Sequence, residues 1–135
     1  MLFPAPEDYP RCWRLVVEAT SEGKLGLTSK AATFDPVNPI GLICVYTYDF
    51  TDTDDVRRVL EGLVNLGLCR ADAKPIYYKC DAYTYLDIKS DNTYKLRASL
   101  FSSKEILEGE AKAGQEGPVA RLKKRNMTMD SFFAA

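Results

Sequence analysis

The fold is decided by residues 40–48, whose sequence is Ile-Gly-Leu-Ile-Cys-Val-Tyr-Thr-Tyr. This stretch is the most hydrophobic of the chain, and its β-branched and aromatic residues favour a strand. Because the apolar residues are continuous and do not alternate with polar ones, the strand is predicted to be covered on both faces. We therefore expect residues 40–48 to lie at the centre of the fold.

An amphipathic helix is predicted before this strand, over about residues 8–22. It begins among acidic residues and Pro10, which suit a first helical turn, and its apolar side chains repeat at helical spacing. Gly23 then offers a left-handed stop. Trp13 shares the apolar spacing, which predicts that it packs in the core.

Two further helices are predicted after the strand. Residues 49–55 contain four aspartates, whose oxygens cap free amides and whose charge is favourable at a helix N-terminus. The apolar stripe behind them predicts a helix over about residues 53–66, ending at Gly67. Ser102 followed by Glu105 is a capping-box pattern, which predicts a short third helix.

The remaining strands are predicted from their β-branched and aromatic content. Residues 25–33 are expected to be extended. Residues 76–88 and 94–101 are expected to form a hairpin through a turn at residues 89–93. In its second arm, apolar and polar side chains alternate, as in a strand with one buried face.

The element order is helix, strand, strand, helix, strand, strand, short helix. This order predicts an α+β fold in which a mostly antiparallel sheet is backed by two or three helices on one face, with the other face open. We expect residues 1–108 to form a single domain. Residues 109–135 are polar and basic and are expected to be a mobile tail. Residues 1–3 resemble the end of an edge strand, which suggests a truncated product.

Composition excludes several classes of protein. The chain has 135 residues, 46% of them hydrophobic, with 18 basic and 19 acidic side chains and no histidine. Without an imidazole, a Ser-His-Asp or Cys-His mechanism and a histidine-ligated metal are excluded. No apolar run approaches the roughly 18–20 residues of a membrane helix, so we expect a soluble protein that does not bind a membrane.

The four cysteines, Cys12, Cys44, Cys69 and Cys80, are widely spaced and contain no C-x-x-C pair. This spacing predicts free thiols and no zinc site. The N-terminus has no basic segment followed by an apolar stretch, so a secreted protein is not expected. We predict a cytoplasmic or nuclear location.

Aromatic and basic residues on the predicted strands are the main candidates for a binding surface. Aromatic rings bordered by lysine and arginine suit a nucleotide or single-stranded nucleic acid, because bases stack on the rings and the cations neutralise phosphate. The alternative is that tyrosine is simply a good strand residue with a half-buried ring. The tyrosines on predicted strands are Tyr46, Tyr48, Tyr77, Tyr78, Tyr83, Tyr85 and Tyr94, and the cations are Lys30, Lys79, Lys95 and Arg97.

Catalytic interpretations have weaker support. The aspartates of residues 49–55 lack the glycine and distal glutamate of a calcium loop, so helix capping is the better interpretation and no metal or cofactor is expected. Asp87 and Asp91 suit either general acid–base work or a turn. The basic cluster at residues 121–125 suits RNA contact, a nuclear address or a solubilising tail.

Several short sequence segments, in the order in which they occur, resemble the family of the basophilic leukemia-expressed protein, whose domain has no known function. The resemblance covers about residues 1–105. Its strings are Trp13-Arg14-Leu15 through Gly26, Leu42-Ile43-Cys44-Val45-Tyr46-Thr47, Phe50-Thr51-Asp52, Asp55-Val56 and Asp81-Ala82-Tyr83-Thr84-Tyr85-Leu86.

That family resembles in fold the messenger-RNA cap-binding initiation factor 4E, which implies a curved antiparallel sheet with helices on its convex side. The cap-binding factor holds a methylated guanine between two tryptophans, whereas this chain has only Trp13. The resemblance puts Phe34 and Asp35 where an aromatic–acid pair would lie. One fold hosts many functions, so it implies the fold more firmly than the activity.

These observations predict a non-enzymatic module that binds RNA or a nucleotide on the concave face of its sheet. The first alternative is a protein-interaction adaptor, in which case the partner is a protein. The second is a small-molecule enzyme that uses Asp87 or Asp91, with no identifiable substrate. The predicted nucleotide-binding residues are Lys30, Phe34, Tyr48, Tyr83, Tyr85, Lys95 and Arg97.

Overall fold

A computed structural model describes residues 1–33, 35–37 and 39–109. This part of the chain is α+β, with four helices and two small antiparallel sheets. The predictions for Phe34, for the tail from residue 110 onwards and for its basic cluster lie outside the described residues. The elements are α1 (Tyr9–Ser21), β1 (Thr28–Ala31), β2 (Ile43–Tyr46), α2 (Thr53–Asn65), β3 (Tyr77–Tyr78), α3 (Asp81–Tyr85), β4 (Phe101–Ser102) and α4 (Ser103–Glu108).

The two sheets are joined by the first residues of the chain. β1 pairs with β2, and β3 pairs with β4, both antiparallel. Leu2 forms an antiparallel bridge with Ile43 of β2, through N–O distances of 2.8 and 3.0 Å. The amino group of Met1 donates to the carbonyl oxygen of Tyr77 in β3 at 3.0 Å. β2 thus has a partner on each side, as expected of a central strand. The strand spans only residues 43–46 of the predicted 40–48, and the predicted cover on both faces is wrong, because Cys44, Val45 and Tyr46 are only partly buried.

The first helix confirms its prediction. α1 carries a proline in its first turn and buries Cys12, Val16 and Ala19 along one face. It ends where Gly23 adopts a φ of +70° and the amide of Lys24 donates to the carbonyl of Ala19 at 2.9 Å. A positive φ of this kind is the left-handed stop for which glycine is favoured.

The second helix is also confirmed. The carboxylate of Asp52 accepts a hydrogen bond from the amide of Asp55 at 3.1 Å, so the aspartates do cap the N-terminus of α2. α2 buries Val56, Val59, Leu60 and Leu63. Its apolar stripe is therefore the face that packs in the core.

The main core lies between α1, α2 and the sheet side on which Ile43 is buried. Trp13 packs against this cluster, as its spacing predicts. Its buried members are Leu2, Cys12, Val16, Ala19, Leu25, Ile43, Val59, Leu60, Leu63 and Cys69. A second cluster contains Val56, Leu100 and Phe101, with Tyr78, Cys80, Tyr83 and Ile106 packed against it.

The predicted hairpin of residues 76–88 and 94–101 is wrong. Only residues 77–78 and 101–102 pair as strands. The segment between them contains the short helix α3 and irregular structure instead of a tight turn. Two short sheets replace the predicted single sheet, and a curved sheet backed by helices is not seen.

Local hydrogen bonds explain why residues 81–96 do not extend. The amide of Ile88 donates to the carbonyl of Tyr83 at 2.8 Å, which closes α3 and buries Ile88. The side chain of Asn92 then bonds the backbone of Lys89 and Leu96. Tyrosine and threonine favour strands only where their neighbours form a pleated surface, and here packing favours a helix.

The third predicted helix is confirmed as α4, with its capping box. The Glu105 carboxylate accepts from the Ser102 amide at 2.7 Å and also from both guanidinium NH2 groups of Arg97, at 2.7 and 2.8 Å. The hydrogen bonds from Arg97, followed by those from Ser102, lower the pKa of Glu105 to about 2. Arg97 is thus held at the start of α4.

Replacing Leu60 by alanine tests the core face of α2. Leu60 is 5% exposed, so the change should lower the free energy of unfolding by about 3 kcal/mol, the ordinary cost of a cavity at a buried leucine. Urea unfolding followed by circular dichroism measures it. Glu61→Ala, at the exposed next position of the same helix, is the control and should change stability by less than about 0.5 kcal/mol. Equal stability of the two variants would contradict the assignment.

Glu105→Gln tests the capping box and its ion pair. The folded pKa of Glu105 is lower than its unfolded value, so its ionic contribution is present above about pH 4.5 and is lost as the pH falls towards about 2. Since the side chain is 42% exposed, solvent screening limits the expected loss at pH 7 to about 1 kcal/mol.

The measurement is the thermal midpoint of wild type and variant between pH 2 and pH 7. The difference should shrink towards pH 2. Glu108→Gln, which removes a more distant pair with Lys104 at 3.9 Å, is the control. A difference between wild type and Glu105→Gln that does not depend on pH would refute the ion-pair contribution.

Candidate functional site

An open groove of about 490 Å³ lies along β2 and β3. Five of the residues that line it are aromatic, and we call it the aromatic groove. Its lining consists of Met1, Lys30, Leu42, Cys44, Val45, Tyr46, Thr47, Tyr48, Phe50, Tyr77, Tyr78, Lys79, Cys80, Asp81 and Thr84.

Strand alternation brings β2 side chains to the groove. Ile43 is fully buried in the core, so Cys44 and Tyr46 project from the opposite face of β2. A Cβ on Gly26 would overlap the carbonyl oxygen of Tyr46. Glycine is therefore required at position 26 for the chain to pass this close to the end of β2.

Lys30, on β1, contributes a positive charge to the aromatic groove. It lies opposite Cys44 in the strand register, and its Nζ is 5.1 Å from the centre of the Tyr46 ring, a cation–π distance. The side-chain interaction with Tyr46 raises the pKa of Lys30. Its positive charge is thus positioned beside an aromatic face at the groove wall.

The two tyrosines of β3 have different surroundings. Tyr78 is half-buried: its hydroxyl is 2.5 Å from the Thr47 hydroxyl, and its ring centroid is 6.0 Å from that of Phe101. Burial raises the pKa of Tyr78. Tyr77 is 41% exposed. Tyr78 is therefore held in the groove wall by its own contacts, while the ring of Tyr77 is accessible to solvent.

The most accessible rings of the groove follow β2. Tyr48 is 81% exposed and Phe50 is 41% exposed. Both precede α2, whose capped N-terminus at Asp52 defines where the segment ends. Tyr48, Phe50 and Tyr77 therefore each keep part of their aromatic surface accessible to solvent.

Charge in the groove is mixed. Lys79 is half-buried and Asp81 is exposed, and both line the groove with Lys30. The charge of Asp81 is close enough to raise the pKa of Lys30 slightly, together with stronger causes. Two lysines against one aspartate leave a modest positive balance among these three side chains.

The structure brings together only part of the predicted nucleotide-binding set. Lys30 and Tyr48 line the aromatic groove, whereas Tyr83, Tyr85, Lys95 and Arg97 do not. The prediction that Tyr83 and Tyr85 lie on a strand is wrong, because both lie on α3, where a spacing of two residues points side chains in different directions.

The predicted residues outside the groove have other surroundings. Tyr83 packs beside the second core cluster, and Tyr85 is 87% exposed. Lys95 has a φ of +53° in an irregular segment, and Arg97 is paired with Glu105. Tyr94, predicted on the second hairpin arm, is exposed outside any strand.

Several groove residues were not among the predicted set. Tyr77 and Lys79 are two residues apart, the spacing that places side chains on one strand face, and this signal was available. Tyr46 has the same relation to Tyr48. The sequence did not indicate Phe50 as a groove residue, because Phe50 lies within the aspartate-rich segment 49–55, which was interpreted as a helix cap.

Other candidate chemistry finds ordinary structural partners. Asp87 pairs with Lys89 at 2.8 Å and is exposed. All four cysteines are free. Over residues 1–33, 35–37 and 39–109, no three Asp, Glu or Cys side chains converge closely enough to hold a metal ion. None of the described helices has the length and apolar composition needed to cross a membrane.

Comparison with known proteins gives a family but no structural relative. No solved structure matches the chain. The family model described as basophilic leukemia-expressed protein Bles03 matches residues 1–87. That range is more than half of the 135 residues and contains every residue that lines the aromatic groove. The chain therefore belongs to the Bles03 family.

Proposed function

We propose that this protein is a non-enzymatic module that binds single-stranded RNA or a nucleotide in the aromatic groove. The observation that supports the proposal is the presence of Tyr48, Phe50 and Tyr77, all accessible, in one groove with Lys30 and Lys79. Accessible rings beside cations are what base stacking and phosphate neutralisation require. A cytoplasmic or nuclear location is part of the same proposal.

Stacking is the main source of affinity in this proposal. A base stacked on an aromatic side chain contributes about 1–3 kcal/mol, whatever its identity. Tyr48 is the first candidate because its ring is the most exposed in the groove. Lys30 and Lys79 would hold phosphate, and Asp81 would oppose it, so ordinary rather than high affinity is expected.

We also infer that the two small sheets belong to one platform of the kind found in cap-binding initiation factor 4E. The hydrogen bonds of Met1 and Leu2 to both β2 and β3 support this inference. The helices α1 and α2 contribute the buried side chains behind β2. The single tryptophan, Trp13, packs with the core, so the aromatic groove would use tyrosine and phenylalanine for stacking.

A second candidate function is protein interaction. Val37 and Ile40 expose apolar side chains in the segment between β1 and β2. A protein partner that docks here would be captured equally well before and after nuclease treatment, and Ile40→Ser would abolish its capture. RNA-dependent capture would instead favour the aromatic groove.

Replacement of Tyr48 by alanine tests the stacking assignment, with Tyr85→Ala as a matched control. Both rings are more than four-fifths exposed, but only Tyr48 lines the groove. Tyr48→Ala should weaken binding of a labelled oligouridylate by about 5- to 160-fold, the equivalent of one stacked base. Tyr85→Ala should leave it unchanged. Fluorescence anisotropy at low salt measures both.

Two outcomes would contradict the proposal. The first is wild-type affinity for both oligouridylate and oligoadenylate weaker than about 100 µM, far from the range of specific nucleic-acid recognition. The second is an equal effect of the two tyrosine variants. Circular dichroism melting of each variant serves as the folding control.

Replacement of Lys30 by glutamine tests the phosphate contact, with Lys95→Gln as its matched control. Lys30 lines the groove and Lys95 does not. If Lys30 holds a phosphate, its loss should reduce the slope of log affinity against log salt concentration by about 0.7, the value for one contact on a single strand. Titration between low and moderate salt gives the slope. An unchanged slope in Lys30→Gln, or the same decrease in Lys95→Gln, would remove Lys30 from the site.

A further inference from the structure

A second groove adjoins the aromatic groove at Tyr77. It has a volume of about 320 Å³, and Phe3, Lys74, Pro75 and Tyr77 contribute to its lining. We call it the Phe3 groove. Tyr77 lines both grooves and therefore lies at the boundary between them.

The Phe3 groove is also lined by Leu2, Cys12 and Leu68, which belong to the main core or pack against it. It therefore extends from Tyr77 towards α1, and Tyr77 is the residue that it shares with the aromatic groove. Met1 lines the aromatic groove, and Phe3 lines the second groove with 60% of its surface exposed. The accessible rings of Tyr48 and Phe3 thus lie in two adjoining grooves, and Tyr77 lines both.

The Phe3 groove offers the same chemistry as the first. It provides an exposed ring, Phe3, and a cation, Lys74, which is exposed and is in no ion pair among the described residues. Each groove is within the range of about 300–1,000 Å³ typical of small-ligand sites. One mononucleotide in the aromatic groove would leave the Phe3 groove empty.

Resting on the proposed function, we infer that the ligand is a single-stranded oligonucleotide that crosses Tyr77 and continues into the Phe3 groove, and not a mononucleotide. A base stacked on Phe3, with its phosphate near Lys74, extends the site beyond the bases held by Tyr48 and Tyr77. Binding should therefore depend on the length of the strand. Phe3 should matter only for strands long enough to reach it.

The test compares a uridine dinucleotide with a uridine hexanucleotide on the full chain, by calorimetry or competition. A hexanucleotide contains five overlapping dinucleotides, so this statistical factor alone accounts for up to about fivefold tighter binding, because five registers compete for one site. We expect more than tenfold. Phe3→Ala should remove most of the excess for the hexanucleotide and leave dinucleotide affinity unchanged, whereas Tyr48→Ala should weaken both.

A gain of fivefold or less, or a hexanucleotide affinity that Phe3→Ala does not change, would overturn this inference. The proposed function would survive that result if Tyr48→Ala still weakened dinucleotide binding. Binding of neither probe would overturn the proposed function itself. Lys74→Gln is a second test of the inference, at an exposed position. It should lower the affinity for the hexanucleotide without changing the affinity for the dinucleotide. Exposure of Phe3 and Lys74 leaves the fold intact in both variants.

Discussion

The arrangement of the whole described chain depends on the backbone pairing of Met1 and Leu2. Leu2 exchanges two hydrogen bonds with Ile43, and Met1 donates a third to Tyr77. Without this segment, no backbone hydrogen bonds of the described residues would connect the β1–β2 ladder to the β3–β4 ladder, which are separate sheets. Two-stranded ladders are only marginally stable alone. The burial of Leu2 beside α1 and α2 anchors the segment, so the same residue stabilises the core and holds the groove walls together.

The aromatic residues of the groove are of two kinds: some are held by contacts within the protein, and others are accessible to solvent. Tyr78 contacts Thr47 and Phe101, and its hydroxyl and ring are satisfied within the protein. Tyr48 and Tyr77 have large exposed surfaces. An exposed ring adds little to fold stability, because its apolar area stays solvated when the chain folds. Several such rings in one groove are therefore better explained by binding than by fold stability, whereas a single exposed tyrosine needs no explanation.

Local sequence signals predicted the parts of the fold in which one element decides its own structure. The end of α1 at Gly23, the cap at Asp52 and the capping box of Ser102 and Glu105 are all formed by residues five or fewer positions apart. The strand prediction for residues 81–96 failed because tyrosine content favours a strand, while Tyr83 packs beside the second core cluster, whose buried residues Val56, Leu100 and Phe101 are distant in sequence. Lys30 does lie on a predicted strand, β1, whereas Tyr48 lies two residues beyond the end of β2. Tyr83 and Tyr85 lie on α3 instead of a strand.

The balance of forces in the groove favours stacking over charge. Two lysine contacts on a single strand give a salt slope of about −1.4, so a rise from about 50 to 200 mM salt weakens binding only about sevenfold. Stacking of two bases contributes about 2–6 kcal/mol and is not screened by salt. Lys30 already lies over Tyr46, and Asp81 opposes phosphate nearby. A ligand that binds here must therefore gain most of its affinity from its bases, and an unstacked polyanion would gain little.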